Sequence, residues 1–94
     1  MVTETPTHEI LIRQGYKLID DAWNENSRRT YDHNDDATRE LITSLAKSLR
    51  SAGWETHPNI LRAFCHPESG EIVEIEPGGA ETSGHFLHHM KAFE

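Results

Sequence analysis

The chain has 94 residues, 35% of them hydrophobic, with a mean hydropathy of −0.69. Lys and Arg number 9 against 16 Asp and Glu, which leaves a net charge of −7 with histidine neutral. That length holds one small core rather than two domains, and so few cations disfavour non-specific nucleic-acid binding, which draws on phosphate neutralisation.

Further exclusions follow from single residue types. The single cysteine, Cys65, rules out an internal disulfide and any thiolate zinc pair. The N-terminus has neither a basic start nor an apolar run, so it does not read as a signal peptide. No stretch approaches the ~18 apolar residues of a membrane span. A cytoplasmic protein is the simplest expectation, with no cofactor and an acidic surface that suits solubility or a basic partner.

Residues 1–6 read as a polar leader to a single domain spanning 1–94. Thr7 is placed to cap a first helix running to Trp23, since Leu11, Tyr16, Leu18, Ile19, Ala22 and Trp23 recur at helical spacing. Gly15 costs that helix about 1 kcal/mol relative to Ala unless another element packs closely there. Residues 24–36 read as a polar connection in which Tyr31 is the one large anchor. Asn34 or Asp35 then caps a second helix, with a Leu41, Leu45, Leu49 stripe widened by Ile42, Ala46 and Ala52. Gly53 follows as a left-handed C-terminal residue.

After Gly53 the period becomes alternating. Residues 54–57 suit a short strand, and 60–66 with 71–76 suit a hairpin. A three-residue loop of Glu68, Ser69 and left-handed Gly70 sets Pro67 opposite Glu71, Cys65 opposite Val73, Ala63 opposite Ile75 and Arg62 opposite Glu76. That register gathers Leu61, Ala63, Cys65, Val73 and Ile75 on a core face, and Arg62, Phe64, Glu74 and Glu76 on the other. Residues 77–84 form a loop. Thr82 or Ser83 caps a last helix that buries Phe86, Leu87, Met90 and Phe93. The fold expected is α+β, with two N-terminal helices, a three-stranded antiparallel sheet and a C-terminal helix.

Gly53-Trp54, Phe64, His66-Pro67, Gly70, the 72–75 strand and Pro77 together resemble the HicA-type toxins over about residues 40–93. The resemblance implies a double-stranded-RNA-binding-domain-like αβββα fold and a ribonuclease ancestry. The catalytic histidine of that family falls just before the Phe-x-His-Pro stretch. Here that place holds Leu61 and Arg62, which cannot act as general bases at neutral pH. His57 and His66 are the nearest catalytic candidates, and the basic character of the family is missing.

Several residue groups invite a chemical reading beside a plainer one. His85 and His89, with His88 between, have chelating i, i+4 spacing on a helix, but the further ligands of a structural zinc site are not evident. Cys65 beside His66 suggests a nucleophile and its base, yet neighbours on a strand point to opposite faces, so Cys65 reads as a small buried hydrophobe. Asp35, Asp36, Glu74 and Glu76 belong to acidic groups that either solubilise the chain or meet a basic partner, as a nucleic-acid mimic would. Arg62 and Phe64 are residue types that dominate interfaces. The hairpin edge offers a route to a homodimer. A non-enzymatic interaction module, a small regulator or inhibitor of a protein partner, is the functional expectation. An RNA-binding or degenerate ribonuclease protein and a histidine-based metal protein are the alternatives.

Overall fold

The computed structural model describes residues 6–35, 38–77 and 84–91. The helix expected over 7–23 stops at its glycine. Helix α1 spans Pro6–Arg13, and strand β1 spans Lys17–Ala22. Gly15 takes a left-handed φ of +92°, its amide donates to Ile12 O, and the Tyr16 amide reaches back to Leu11 O. This is a Schellman stop, and it releases Tyr16 to pack in the core. Close packing against Gly15 also occurs, because a Cβ there would lie 3.0 Å from His33 Nε2. Thr7 lies inside α1 rather than at its cap, and its hydroxyl donates to Glu71.

The polar connection is also structured. A single turn, α2 (Trp23–Asn26), leads into strand β2 (Arg28–His33). Helix α3 (Arg39–Ser51) matches the leucine stripe, though Thr38, not Asn34 or Asp35, accepts the capping bond from the Leu41 amide. Its end repeats the first stop. Gly53 has φ +95°, and its amide and that of Trp54 return to Arg50 O and Leu49 O.

Strands β3 (Glu55–Thr56), β4 (Ala63–Cys65), β5 (Glu71–Pro77) and β6 (His85–Lys91) follow. The described strands form one six-stranded antiparallel sheet in the order β1-β2-β6-β5-β4-β3. The α+β class therefore holds, but the three-stranded sheet and the C-terminal helix do not. The segment expected to be that helix is the central strand β6. Its proposed caps Thr82 and Ser83, the terminal Phe93, and the leader residues 1–5 lie outside the described residues.

The hairpin register is one residue away from expectation. Cys65 pairs with Ile72, Phe64 with Val73 and Ala63 with Glu74. The turn explains the slip. His66 N donates to Glu71 O, Gly70 N donates to His66 O, and His66 Nδ1 accepts from the amides of Glu68 and Ser69. Four residues are thereby enclosed rather than three, and a slip of one exchanges the faces of a strand. Phe64 turns into the core at 5% exposure, while Leu61, expected inside, is 91% exposed in the β3–β4 connection.

Register assigns every strand residue to a face, since paired residues share one. Tyr31, Leu87 and Ile75 form an apolar row across the inner face, next to a row holding Arg29, His89, Val73 and Phe64. Leu11 of α1 and Leu45 and Leu49 of α3 complete that core. Trp23 of α2 stacks on His89, so this helix also contacts the inner face. The opposite face carries no described helix.

Candidate functional site

The open face is a grid read from the ladder. One row runs Ala22, Arg28, Met90, Ile72, Cys65, Glu55; the next runs Asp20, Thr30, His88, Glu74, Ala63; a third runs Lys17, Asp32, Phe86, Glu76. Among the described residues its carboxylates are Asp20, Asp32, Glu55, Glu74 and Glu76, against the cations Lys17 and Arg28. Phe86, on the central strand, stays 38% exposed between Asp32 and Glu76. His88 and Glu76 are joined at 2.5 Å between Nε2 and Oε2. Phe86 thus presents an aromatic surface flanked by carboxylates, an apolar anchor between negative charges.

Glu74 and Glu76 therefore stand on the face assigned to them, while Arg62 and Phe64 do not stand beside them. Phe64 is buried, and Arg62 is exposed in the turn before β4 with a left-handed φ of +56°. Cys65 is half-buried on the open face opposite Ile72, not in the core. Asp35 is an exposed residue after β2 whose carbonyl receives His85 Nδ1–H. Asp36 lies outside the described residues. The β4–β5 hairpin is interior to the sheet, so the edges open to a second copy are β1 and β3.

Three of the seven histidines form turns. His33, His57 and His66 each accept, at Nδ1, the amide two residues on, from Asp35, Asn59 and Glu68. His66 also donates from Nε2 to Ala52 O, so backbone groups engage both its ring nitrogens. His85 and His89 share the inner face of β6, but four strand rises separate them by about 13 Å, too far to grip one ion. His88 points to the opposite face. Among the described residues no group of three His, Cys, Asp or Glu is arranged to hold a metal.

Two polar clusters flank the apolar row, and sequence reasoning missed both. At one end, His89 Nε2 donates to Glu71 Oε1 at 2.8 Å, and the hydroxyls of Thr7 and Ser69 donate to the same carboxylate at 3.0 and 2.6 Å. The His89 hydrogen bond, working against burial and aided by Ser69, holds the Glu71 carboxyl down at about 2. Beside it, buried Arg29 donates to Asp21 at 3.1 Å and lies over the Trp23 ring. Burial works to raise the Asp21 carboxyl, but the Trp23 amide and Arg29 outweigh it and keep it below its ordinary value. His8 Nδ1 meets the Tyr31 hydroxyl at 2.7 Å, and burial pushes that phenol up to about 12.

At the other end His85 donates from Nδ1 to Asp35 O, so its Nε2 accepts the Tyr16 hydroxyl at 2.8 Å. Burial holds this imidazole below its ordinary value and pushes Tyr16 up to about 12. His33 stacks on His85, with ring centroids 5.3 Å apart. The abundance of histidine was the available signal, and these clusters are where it is spent: they order strands whose inward residues are polar.

No described helix is long and apolar enough to cross a membrane. Comparison with protein-family models, with curated proteins and with solved structures finds no match.

Proposed function

We propose that the chain is a non-enzymatic interaction module, a small cytoplasmic regulator or inhibitor that binds a basic protein partner through the open face of its sheet. The observation that carries this reading is the acidic grid around part-exposed Phe86, on a face of the six-stranded sheet that carries no described helix. An exposed aromatic ringed by charge supplies an anchor and a polar rim, the arrangement that concentrates interface energy. Carboxylates repel phosphate backbones, so an acidic face selects a cationic protein surface over nucleic acid.

The test is capture from cell lysate by the tagged chain, with and without nuclease, read by mass spectrometry beside a Glu74→Lys/Glu76→Lys variant and Phe86→Ala. A basic protein that survives nuclease, and is lost with either variant, supports the module. Recovery of nucleic acid alone overturns it and favours the RNA-directed reading that the HicA resemblance implies.

A further inference from the structure

Arg62 and Phe64 meet in a place the alternating pattern did not suggest. A shallow groove of about 310 Å³ runs between α3 and the β3–β4 edge of the sheet. Its floor is apolar, formed by Ile42 and Ala46 of α3 and by Phe64. Arg50 and Arg62 stand at its sides, and no carboxylate lines it among the described residues. In a chain of net charge −7 this local excess of cations runs against the composition.

Both arginines are positioned. Arg50 Nη2 donates to Thr56 Oγ1 at 2.9 Å, which places the guanidinium over the edge strand and uses one of its five N–H donors. Arg62 is held in the left-handed region by the Ile75 amide, which donates to its carbonyl at 2.9 Å. A non-glycine residue held in that conformation stores strain that surrounding structure must maintain, a condition that gathers at ligand-contacting positions. The edge strand adds a directional cue. Thr56 pairs with Phe64 and so faces the groove, while Glu55 pairs with Cys65 and points to the open face, away from any groove occupant. Among the described residues no strand lies on the outer side of β3.

We propose that this groove binds an extended acidic segment of a partner protein, with an apolar side chain over Phe64 and Ala46 and flanking carboxylates held by Arg50 and Arg62. Charge complementarity selects the occupant: guanidinium forks match carboxylates in geometry, and an open trough beside an edge strand admits an extended chain. The site lies apart from the acidic open face and does not depend on the role proposed for it.

The probe is a fluorescein-labelled dodecapeptide of alternating glutamate and leucine, followed by fluorescence anisotropy and by amide NMR shifts of the full chain. The expected result is saturable binding that weakens with added salt and shifts Thr43, which also lines the groove, together with Arg50, Thr56 and Arg62. Arg50→Gln/Arg62→Gln should weaken it about tenfold. Both arginines are exposed, so that variant keeps its fold; Thr43→Trp, which fills the groove without removing charge, should weaken binding as well. Glu74→Gln/Glu76→Gln should leave it unchanged. The proposal is overturned by absence of saturable binding, by equal binding of a lysine-leucine peptide, or by equal affinity in the arginine double variant. Sedimentation of the free chain as a dimer that Arg62→Gln dissociates would also overturn it, by making a second copy the occupant.

Discussion

His89 donates to Glu71 on a diagonal of the β5–β6 ladder, which pairs Glu71 with Lys91 and Val73 with His89. The contact ties β6 to the first residue of β5, and Ser69 of the preceding turn and Thr7 of α1 meet the same carboxylate. Held at about 2 against an ordinary 4.5, Glu71 binds fewer protons folded than unfolded between those values. Its contribution is therefore complete above about pH 4.5 and is lost as pH falls toward 2; at neutral pH it amounts to about 3 kcal/mol. Glu71→Gln should lower the unfolding free energy by about 2–3 kcal/mol at pH 7 and by much less at pH 2–3. Urea titrations of both chains at the two pH values check this, and an equal loss at both would contradict it.

His85 should titrate below 6.5. Burial disfavours its imidazolium, outweighing the Asp35 carbonyl that favours it, with His33 opposing and Asp32 assisting. The folded state then binds fewer protons than the unfolded chain, so the stabilisation is present above pH 6.5 and is lost as pH falls through the lower folded value. A carbon-resolved NMR titration of the imidazole reads the midpoint directly. A midpoint at or above 6.5 would contradict the buried, neutral ring.

The two phenylalanines of the sheet should behave oppositely. Phe64→Ala empties a core position and should cost about 3–5 kcal/mol of stability. Phe86→Ala, on the open face, should change stability by no more than about 0.5 kcal/mol while weakening partner capture. The thermal melt of Phe64→Ala decides the hairpin register, since the alternative register would turn Phe64 out of the core.

Gly15→Ala should destabilise by about 1–2 kcal/mol, because the new Cβ meets a left-handed backbone and the His33 ring 3.0 Å away. Adding His33→Ala should recover only the contact part of that loss. Denaturant midpoints of the two variants separate the steric contribution from the backbone one.

Legibility in the sequence followed the polarity of what each element buries. Helix α3 was legible because its inward residues are leucines at helical spacing and its glycine stop is local. Val73 and Ile75 were assignable to the core for the same reason. Strands β2 and β6 were not legible. Their inward residues include Arg29, His33, His85 and His89, while Phe86 points out, so hydrophobic alternation was absent or inverted. Those polar groups lie inside because Asp21, Asp35, Tyr16 and Glu71 meet them, partners up to 69 residues away in the chain. The hairpin register failed for a smaller reason. A histidine ring that accepts two amides lengthens the turn by one residue, and one residue is enough to exchange the faces of a strand.

By itself the sequence determined the α+β class, the α3 helix with its glycine stop, the Glu74 and Glu76 side of β5, and an acidic chain poor in phosphate-neutralising charge. These rest on local period, composition and backbone rules that neighbouring residues enforce. Tertiary structure alone decided that the sheet has six strands, that the histidines lie in turns and polar clusters, and that Arg62 and Phe64 line a groove beside α3. Each of these depends on hydrogen-bond and charge partners supplied by distant strands, and burying a polar side chain becomes favourable only once that partner is in place.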